Sequence, residues 1–340
     1  MGFRAKSIIL GIALLLICFL AVSAGALWTW WRQELTAPYK GYLEPERFVS
    51  IPRGSSVRDI ADQLERTGII KSAVLFRAYA RTLDDPALQA GEYRFASPLS
   101  IPEVVHRLES GDVRRLKLTI PEGSDLVRVA LLLDEAGLGT LTGFFDAVAD
   151  AGLIADLDPH AGDLEGYLMP DTYLLDRGTS DRQIVETMLA NERRFWTPLR
   201  LDRAREIGMS VRQVVTLASL IEKETGQAEE RPLVSAVFHN RLRLGMPLAC
   251  DPTVIYAVRL IKEYDGVINQ SDLALDSPYN TYRYPGLPPG PITNPGRASL
   301  EAALFPADAD YLYFVSRNDG THVFSRSYRN HEHAVRRYQR

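Results

Sequence analysis

Glu222, Lys223 and Glu224 interrupt an apolar, helix-like run, "TLASLIEKETGQAEE", that extends from Thr216 to Glu230. Stepping ~100° per residue along Ser210–Thr225 places Val214, Leu217, Ala218 and Ile221 on one face. Glu224 falls between Leu217 and Leu220, inside the apolar arc. Glu222 falls at its margin, near Ala218 and Val215, and Lys223 and Ser219 take the opposite side. A carboxylate on an apolar face must be paired, protonated or set in a cleft, because desolvation penalises the charge. In a cleft, desolvation lifts a glutamate towards neutrality and makes a general acid that keeps its proton until a leaving oxygen needs it. The plainer alternatives are an ion pair between Glu224 and Arg241 or Arg243, and an exposed pairing of Glu222 with Lys223 or Arg231.

Three further stretches bear on that choice. "EGYLMPDTY", Glu165 to Tyr173, sets a proline between two aromatics beside an Asp and a Thr. "DPTVIYA" offers Asp251 as an N-cap with Pro252 at the first helical position. "SPYNTYRYPGLPPGPITNPG", Ser277 to Gly296, has no periodicity. Its Tyr279, Tyr282 and Tyr284 supply flat rings, and Asn280, Thr281 and Asn294 supply amides and a hydroxyl, as in a groove that grips sugars. The alternative is a proline-rich loop wrapped on the domain with its tyrosines inward. His331, Glu332 and His333 do not make a metal site, because two imidazoles at i, i+2 diverge on a helix. No metal and no cofactor is expected.

The remaining chain must position these groups. Its 340 residues are 46% hydrophobic and 24% charged, too many for one small domain. A net charge of −4 gives no sign of nucleic-acid binding. The two cysteines, Cys18 and Cys250, cannot build a disulfide framework, and Cys250 reads as a small buried thiol. Ile8 to Leu27 carries no charge and, at ~1.5 Å per residue, spans roughly the ~30 Å hydrocarbon core. Arg4 and Lys6 before it and Trp28, Trp30 and Trp31 after it predict a single anchor with a cytoplasmic N-terminus. Ala24-Gly25-Ala26 keeps a cleaved signal peptide as the rival. Residues 32–48 read as a polar tether. An internal repeat follows: "VSIPRGSSVRDIADQLERTGII" from Val49 and "LTIPEGSDLVRVALLLDEAGLG" from Leu118. Each copy predicts a short strand, a glycine turn and a capped helix ending at Gly68 or Gly137. "GEYRF" predicts a strand and "SIPEVVHRLESGD" a helix ending at Gly111. From about Leu141 the pattern is helical, until "YLYFVSRNDGTHVFSRS" predicts a β-hairpin around Asn318-Asp319-Gly320 and "SYRNHEHAVRRYQR" a basic amphipathic helix.

The fold class expected is α+β: a transmembrane helix, a small α+β module and a mainly helical catalytic domain with a C-terminal hairpin. Expected boundaries are 1–31 for the tail and anchor, 32–48 for the tether, 49–140 for the module and 141–340 for the catalytic domain. The strand-turn-helix "IPRGSSVRDIADQL" makes the first half of the module, about 49–115, similar to a LysM-like module, a class that grips N-acetylglucosamine polymers.

Taken in order, "ASLIEKETGQAEERPLVSAVFHNRLRLGMPLACDPTVIYA", "SPYNTYRYPGLPPGPITNPG" and "YLYFVSRNDGTHVFS" resemble the YceG-like family of endolytic murein transglycosylases. "EGYLMPDTY" and the N-terminal span match as well. The resemblance implies cleavage of the β-1,4 bond between N-acetylmuramic acid and N-acetylglucosamine within a glycan strand, leaving a 1,6-anhydro end. The C6 hydroxyl of the muramic sugar replaces water, so one glutamate suffices where ordinary glycosidases use two carboxylates. The resemblance places that glutamate at Glu224, with Glu222 as the alternative acid. It implies substrate contacts at Tyr279, Asn280, Thr281, Tyr282, Asn240 and Asn294, with Asp251 and Thr253 buttressing the cleft. Cys250 stands where a small hydroxyl residue is expected, a change that would alter rim contacts and leave the carboxylate untouched. The implied partners are peptidoglycan strands and cell-wall synthases of the same membrane, with the enzyme held on the outer face of the cytoplasmic membrane. A non-catalytic murein-binding scaffold is the alternative that the repeat and the anchor would also suit.

Overall fold

A computed structural model describes residues 3–83 and 86–339. Met1 and Gly2 of the expected tail lie outside them, as do the side chains of Arg4 and Lys6 that flank the span. The chain divides into two compact units, each with its own apolar core.

The smaller unit comprises residues 1–115 and 176–178. It contains α1 (Phe3–Thr36), β1 (Arg47–Ile51), α2 (Val57–Arg66), α3 (Ala73–Thr82), β2 (Gly91–Phe95) and α4 (Ile101–Ser110). β1 and β2 pair antiparallel, Arg47 opposite Phe95 and Ile51 opposite Gly91. Ser56 and Asp59 form the capping box that starts α2, and Ser100 and Glu103 form the one at α4. Ile60, Leu64, Phe76, Tyr93, Val104 and Leu108 fill the core. α1 carries a stretch, Leu14–Thr36, long and apolar enough to cross a membrane, with mean hydropathy 1.9 in its most apolar window, which is exposed. The helix does not stop at the tryptophans. Trp31 packs against the core of this unit and Leu35 is buried in it. The expected free tether at 32–48 is therefore corrected: its first five residues are helix, Tyr39 bridges to Leu99, Gly41 donates to the carbonyl of Gly68, and Tyr42 is buried.

The larger unit comprises residues 116–175 and 179–340. Its elements are β3 (Arg115–Thr119), α5 (Leu126–Glu135), α6 (Leu141–Val148), β4 (Thr172–Asp176), α7 (Asp181–Phe195), α8 (Pro198–Glu206), α9 (Val211–Glu224) and α10 (Arg231–Arg243). They continue with α11 (Asp251–Arg259), α12 (Gln270–Leu273), α13 (Arg297–Leu304), β5 (Tyr313–Ser316), β6 (His322–Ser325) and α14 (Tyr328–Tyr338). β3 pairs with β4, and β5 with β6 antiparallel about a turn in which Asn318 and Gly320 take positive φ. Both copies of the repeat form the expected strand, turn and helix. They do not share a module, however: Leu118, Ile120, Leu126 and Val129 of the second copy join the core of the larger unit.

α9 is the axis of that core. Ser210 and Gln213 box its N-terminus. Every residue from Val214 to Ile221 is buried, with α8, α10, α11 and α13 packed around it. The helical wheel gave Ser219 to the polar side; instead Ser219 is fully buried, donating to Thr216 O at 2.7 Å and accepting the N–H of Ile292 at 3.1 Å. The proline-rich segment supplies that N–H, so it crosses the core face of α9 as well as the surface. Pro291 approaches Gly166 so closely that a Cβ there would sit 2.4 Å from it, and Gly166 holds φ at +88°.

Candidate active site

α9 ends on Glu224, because Thr225 turns extended (φ −144°, ψ 135°) and the chain leaves the helix. A carboxyl on the last helical residue meets the negative end of the helix dipole, which disfavours its ionised form. Burial acts in the same direction and is the largest cause holding the acid up at about 7. The thiol of Cys250 hydrogen-bonds the carboxyl and pulls it down, Asp251 pushes it up, and His322 and Arg241 pull it down. Among the described residues no ion pair reaches Glu224 within 4.0 Å. Arg241, one expected clamp, spends its guanidinium on the carbonyls of Leu312 (2.7 Å) and Leu248 (2.6 Å), and Arg243 bonds Asn240. Glu224 is thus neither clamped nor fully solvated, the state in which a carboxyl can hold and release a proton near neutral pH.

Glu222 behaves differently. It lies 3.6 Å from Arg231 and accepts the N–H of Gly296 at 2.9 Å, and its side chain is only 7% exposed. The pairing with Arg231 holds, but the exposed setting expected for it does not. Arg231 also reaches Glu122 of the second repeat turn at 3.8 Å. This cluster fastens that turn and Gly296 behind α9, leaving Glu222 committed to structure.

Cys250 is buried, as expected, and is the residue before α11. Two expectations change here. Cys250 rather than Asp251 is the N-cap, and the thiol touches the carboxyl of Glu224, so the departure from a hydroxyl residue concerns the acid itself.

The polar residues expected to line a groove separate into two groups. Tyr282 is 40% exposed, and its hydroxyl donates to Asp251, which is also exposed. Tyr284 is exposed and donates to Asp276. Tyr279 is half-buried, its ring 4.9 Å from that of Tyr256. The amides and hydroxyls face the other way. Asn280 is fully buried, its Nδ2 donating to Leu273 O and Leu275 O, both at 2.9 Å. Thr281 and Thr253 bond each other at 2.8 Å, and Thr281 also accepts the N–H of Cys250. Asn294 is fully buried, donating to Ser124 O and accepting from Leu168 N. Asn240 donates to Ala309 O and Tyr311 O. An amide or hydroxyl whose hydrogen bonds are already made within the fold gains nothing by contacting a sugar, so these five side chains shape the scaffold under the tyrosines. Asn280→Ala is expected to cost ~1–3 kcal/mol of stability by orphaning two carbonyls. Denaturant unfolding measures it; an unchanged midpoint would show the amide to be dispensable.

A cleft of about 990 Å³ lies beside the tip of α9 and includes Gly123, Asp125, Arg128, Glu165, Lys223, Tyr256 and Arg259 in its wall. Lys223 lines it and Glu224 does not. Glu165, quoted in the sequence only as part of its motif, is buried and held up at about 8, chiefly by desolvation, with Leu126 N donating to it at 3.2 Å. Volume favours the cleft, but the chemistry favours Glu224, which alone among the described residues combines a raised acid with a thiol, an arginine and an imidazole acting on it. His322 and Glu230 had no signal of their own in the sequence beyond a polar ring inside a hairpin strand and a carboxyl beside a helix start.

Fold and site define a class: an α+β protein with one apolar N-terminal helix and a near-neutral carboxyl at the end of a buried helix. The profile described as the YceG-like family matches residues 49–337, and the chain belongs to that family. It is 34% identical over 306 residues to the endolytic murein transglycosylase of Bacillus subtilis (strain 168), covering 85% of this chain and 84% of that one. It is 30% identical over 316 residues to the endolytic murein transglycosylase of Streptococcus pneumoniae serotype 2 (strain D39 / NCTC 7466), covering 84% of this chain and 57% of the other. A crystal structure of a yceG-like protein from Listeria monocytogenes superposes with TM-score 0.58 at 33% identity, over 85% of this chain and 98% of that one.

Proposed function

We propose that the protein is a lytic transglycosylase that cuts β-1,4 bonds between N-acetylmuramic acid and N-acetylglucosamine inside peptidoglycan strands. The observation that carries the reading is Glu224, a carboxyl near neutrality that no cation clamps; the names of the two relatives support it. Glu224 protonates the bridging oxygen as the C1–O bond breaks. The C6 hydroxyl of the muramic sugar then bonds C1, and its proton passes to the Glu224 carboxylate. Atoms balance without water, and the site returns to its starting state. Tyr282 and Tyr279 offer rings for the sugars, and Asp251, held by the Tyr282 hydroxyl, lies within electrostatic reach of the acid. Because Asp251 is a second carboxylate, the product must decide between transglycosylation and hydrolysis. Full-length chain in detergent, given purified glycan strands, is expected to release anhydro ends by mass; ends heavier by one water would mean hydrolysis and defeat the proposal.

The exposed apolar helix is read as a single-pass anchor with a cytoplasmic N-terminus and both units outside the cytoplasmic membrane, near synthases that supply nascent strands. In the same reading the enzyme limits or ends those strands. The β1–α2–α3–β2 arrangement supports a LysM-like, sugar-gripping role for the smaller unit. Cys250→Ser tests the setting of the acid. A hydroxyl donates more strongly than a thiol, so it should favour the ionised form and move the alkaline limb of the rate–pH curve to lower pH. A limb that does not move would show that the contact has no influence.

A further inference from the structure

The loop between α9 and α10 brings a second titratable pair to the site. Glu230, at the start of α10, accepts the backbone N–H of His322 at 2.8 Å through Oε1, and its Oε2 lies 2.6 Å from His322 Nδ1. The same Oε2 accepts the hydroxyl of Thr225, the residue after Glu224, at 3.4 Å. The hairpin tip comes down on this loop: a Cβ on Gly320 would sit 3.3 Å from Gln227 Nε2. The side chains of Glu230 and His322 are 13% and 12% exposed, and the ring of Phe314 meets His322 edge-on at 5.6 Å. Glu230 therefore fixes the ring through Nδ1. No hydrogen bond to Nε2 occurs among the described residues.

Few charged groups act on Glu224. Asp251 at the start of α11 opposes its ionised form. Arg241 from α10 and His322 from β6 favour that form, with Cys250 donating to it and the Tyr282 hydroxyl nearby. A tie between hairpin and loop alone could be made by any neutral donor. An imidazole, unlike a neutral donor, carries positive charge whenever it is protonated.

We infer that Glu230 and His322 are a positioning pair that fixes an imidazole against the loop following Glu224, where its protonated form would set positive charge near the acid while the Glu224 proton is on the departing sugar. The inference rests on the glycan-cleavage reading. Between rupture of the C1–O bond and closure by the C6 oxygen, Glu224 is a bare carboxylate in a poorly solvated site. A fixed cation there lowers the energy of that interval, as preorganised charge does in other active sites. Glu224 remains the catalytic residue, and His322 acts through it.

The test measures kcat and KM for anhydro-ended product across pH with the full chain in detergent. His322→Gln, His322→Lys and Glu230→Gln are compared, each checked by thermal melting. His322→Gln is expected to lower kcat by about tenfold with KM little changed, and to move the alkaline limb of kcat/KM to higher pH because Glu224 loses a cation. His322→Lys should restore both in part. Glu230→Gln should move the limb the same way, and it carries the test if His322→Gln does not fold. Folded variants whose limb stays in place, whatever their melting temperature, would overturn the role of the pair. Absence of anhydro ends from the wild-type chain would instead overturn the reading beneath it.

Discussion

Glu224→Gln is expected to reduce formation of anhydro ends by at least ~10²–10⁴-fold, the usual worth of a positioned general acid–base group. The amide keeps the shape of the side chain and can still accept from Cys250, but it cannot deliver a proton to a leaving oxygen or collect one afterwards. The same variant should be more stable than wild type at alkaline pH. The folded chain holds the Glu224 proton up to about pH 7, above the ordinary 4.5. Its contribution to stability is therefore complete below about 4.5, declines as pH rises and is exhausted above about 7. Glutamine has nothing to ionise and escapes that loss. An inactive protein that melts higher than wild type at about pH 9 separates lost chemistry from lost fold. Undiminished product formation would remove Glu224 from the mechanism.

The second large effect is alkaline destabilisation from Glu192, far from the chemistry. Glu192 is 1% exposed on α7, bonded through Oε1 to the indole N–H of Trp196 at 2.7 Å, and its Oε2 has no partner. Burial holds it up at about 8. By the same sign as Glu224, its stabilisation is present below about pH 4.5 and gone above about pH 8. At ~1.4 kcal/mol per pH unit of separation, the gap from 4.5 to about 8 makes the loss on the order of 5 kcal/mol. Glu192→Gln keeps the bond to Trp196 and should raise the melting temperature at about pH 9 by ~10–20 °C, with little effect near pH 5 and with anhydro-end formation retained. Equal melting of variant and wild type at both pH values would mean that Glu192 is ionised in the folded chain.

Local pattern made most of the elements legible. Ser-x-x-Gln and Ser-x-x-Glu boxes, the glycines after helices and the Asn-Asp-Gly turn all act within a few residues, and α4, α9 and the hairpin lie where they were expected. The deep commitment of Glu224 was legible for the same reason. What depends on long-range contact was not. Ser219 reads as polar by its type, but Ile292, far along the chain, turns it inward. The second repeat copy reads like the first, yet Leu118 and Ile120 find a different core. Asn280 and Asn294 look like sugar contacts in a list of residue types, but their partners, Leu273, Leu275, Ser124 and Leu168, are set only by the fold. His322 comes near Glu224 through a hairpin almost a hundred residues later, a separation no local motif can report.

In the proposed orientation, the way α1 leaves the bilayer has a mechanical meaning. Its last turns do not end in a slack leash; Trp31 and Leu35 are wedged into the folded head that follows. A post rather than a string carries that head, so its height and tilt above the lipid surface are inherited from the anchor. Whatever tilts the post in the lipid then also re-aims the head.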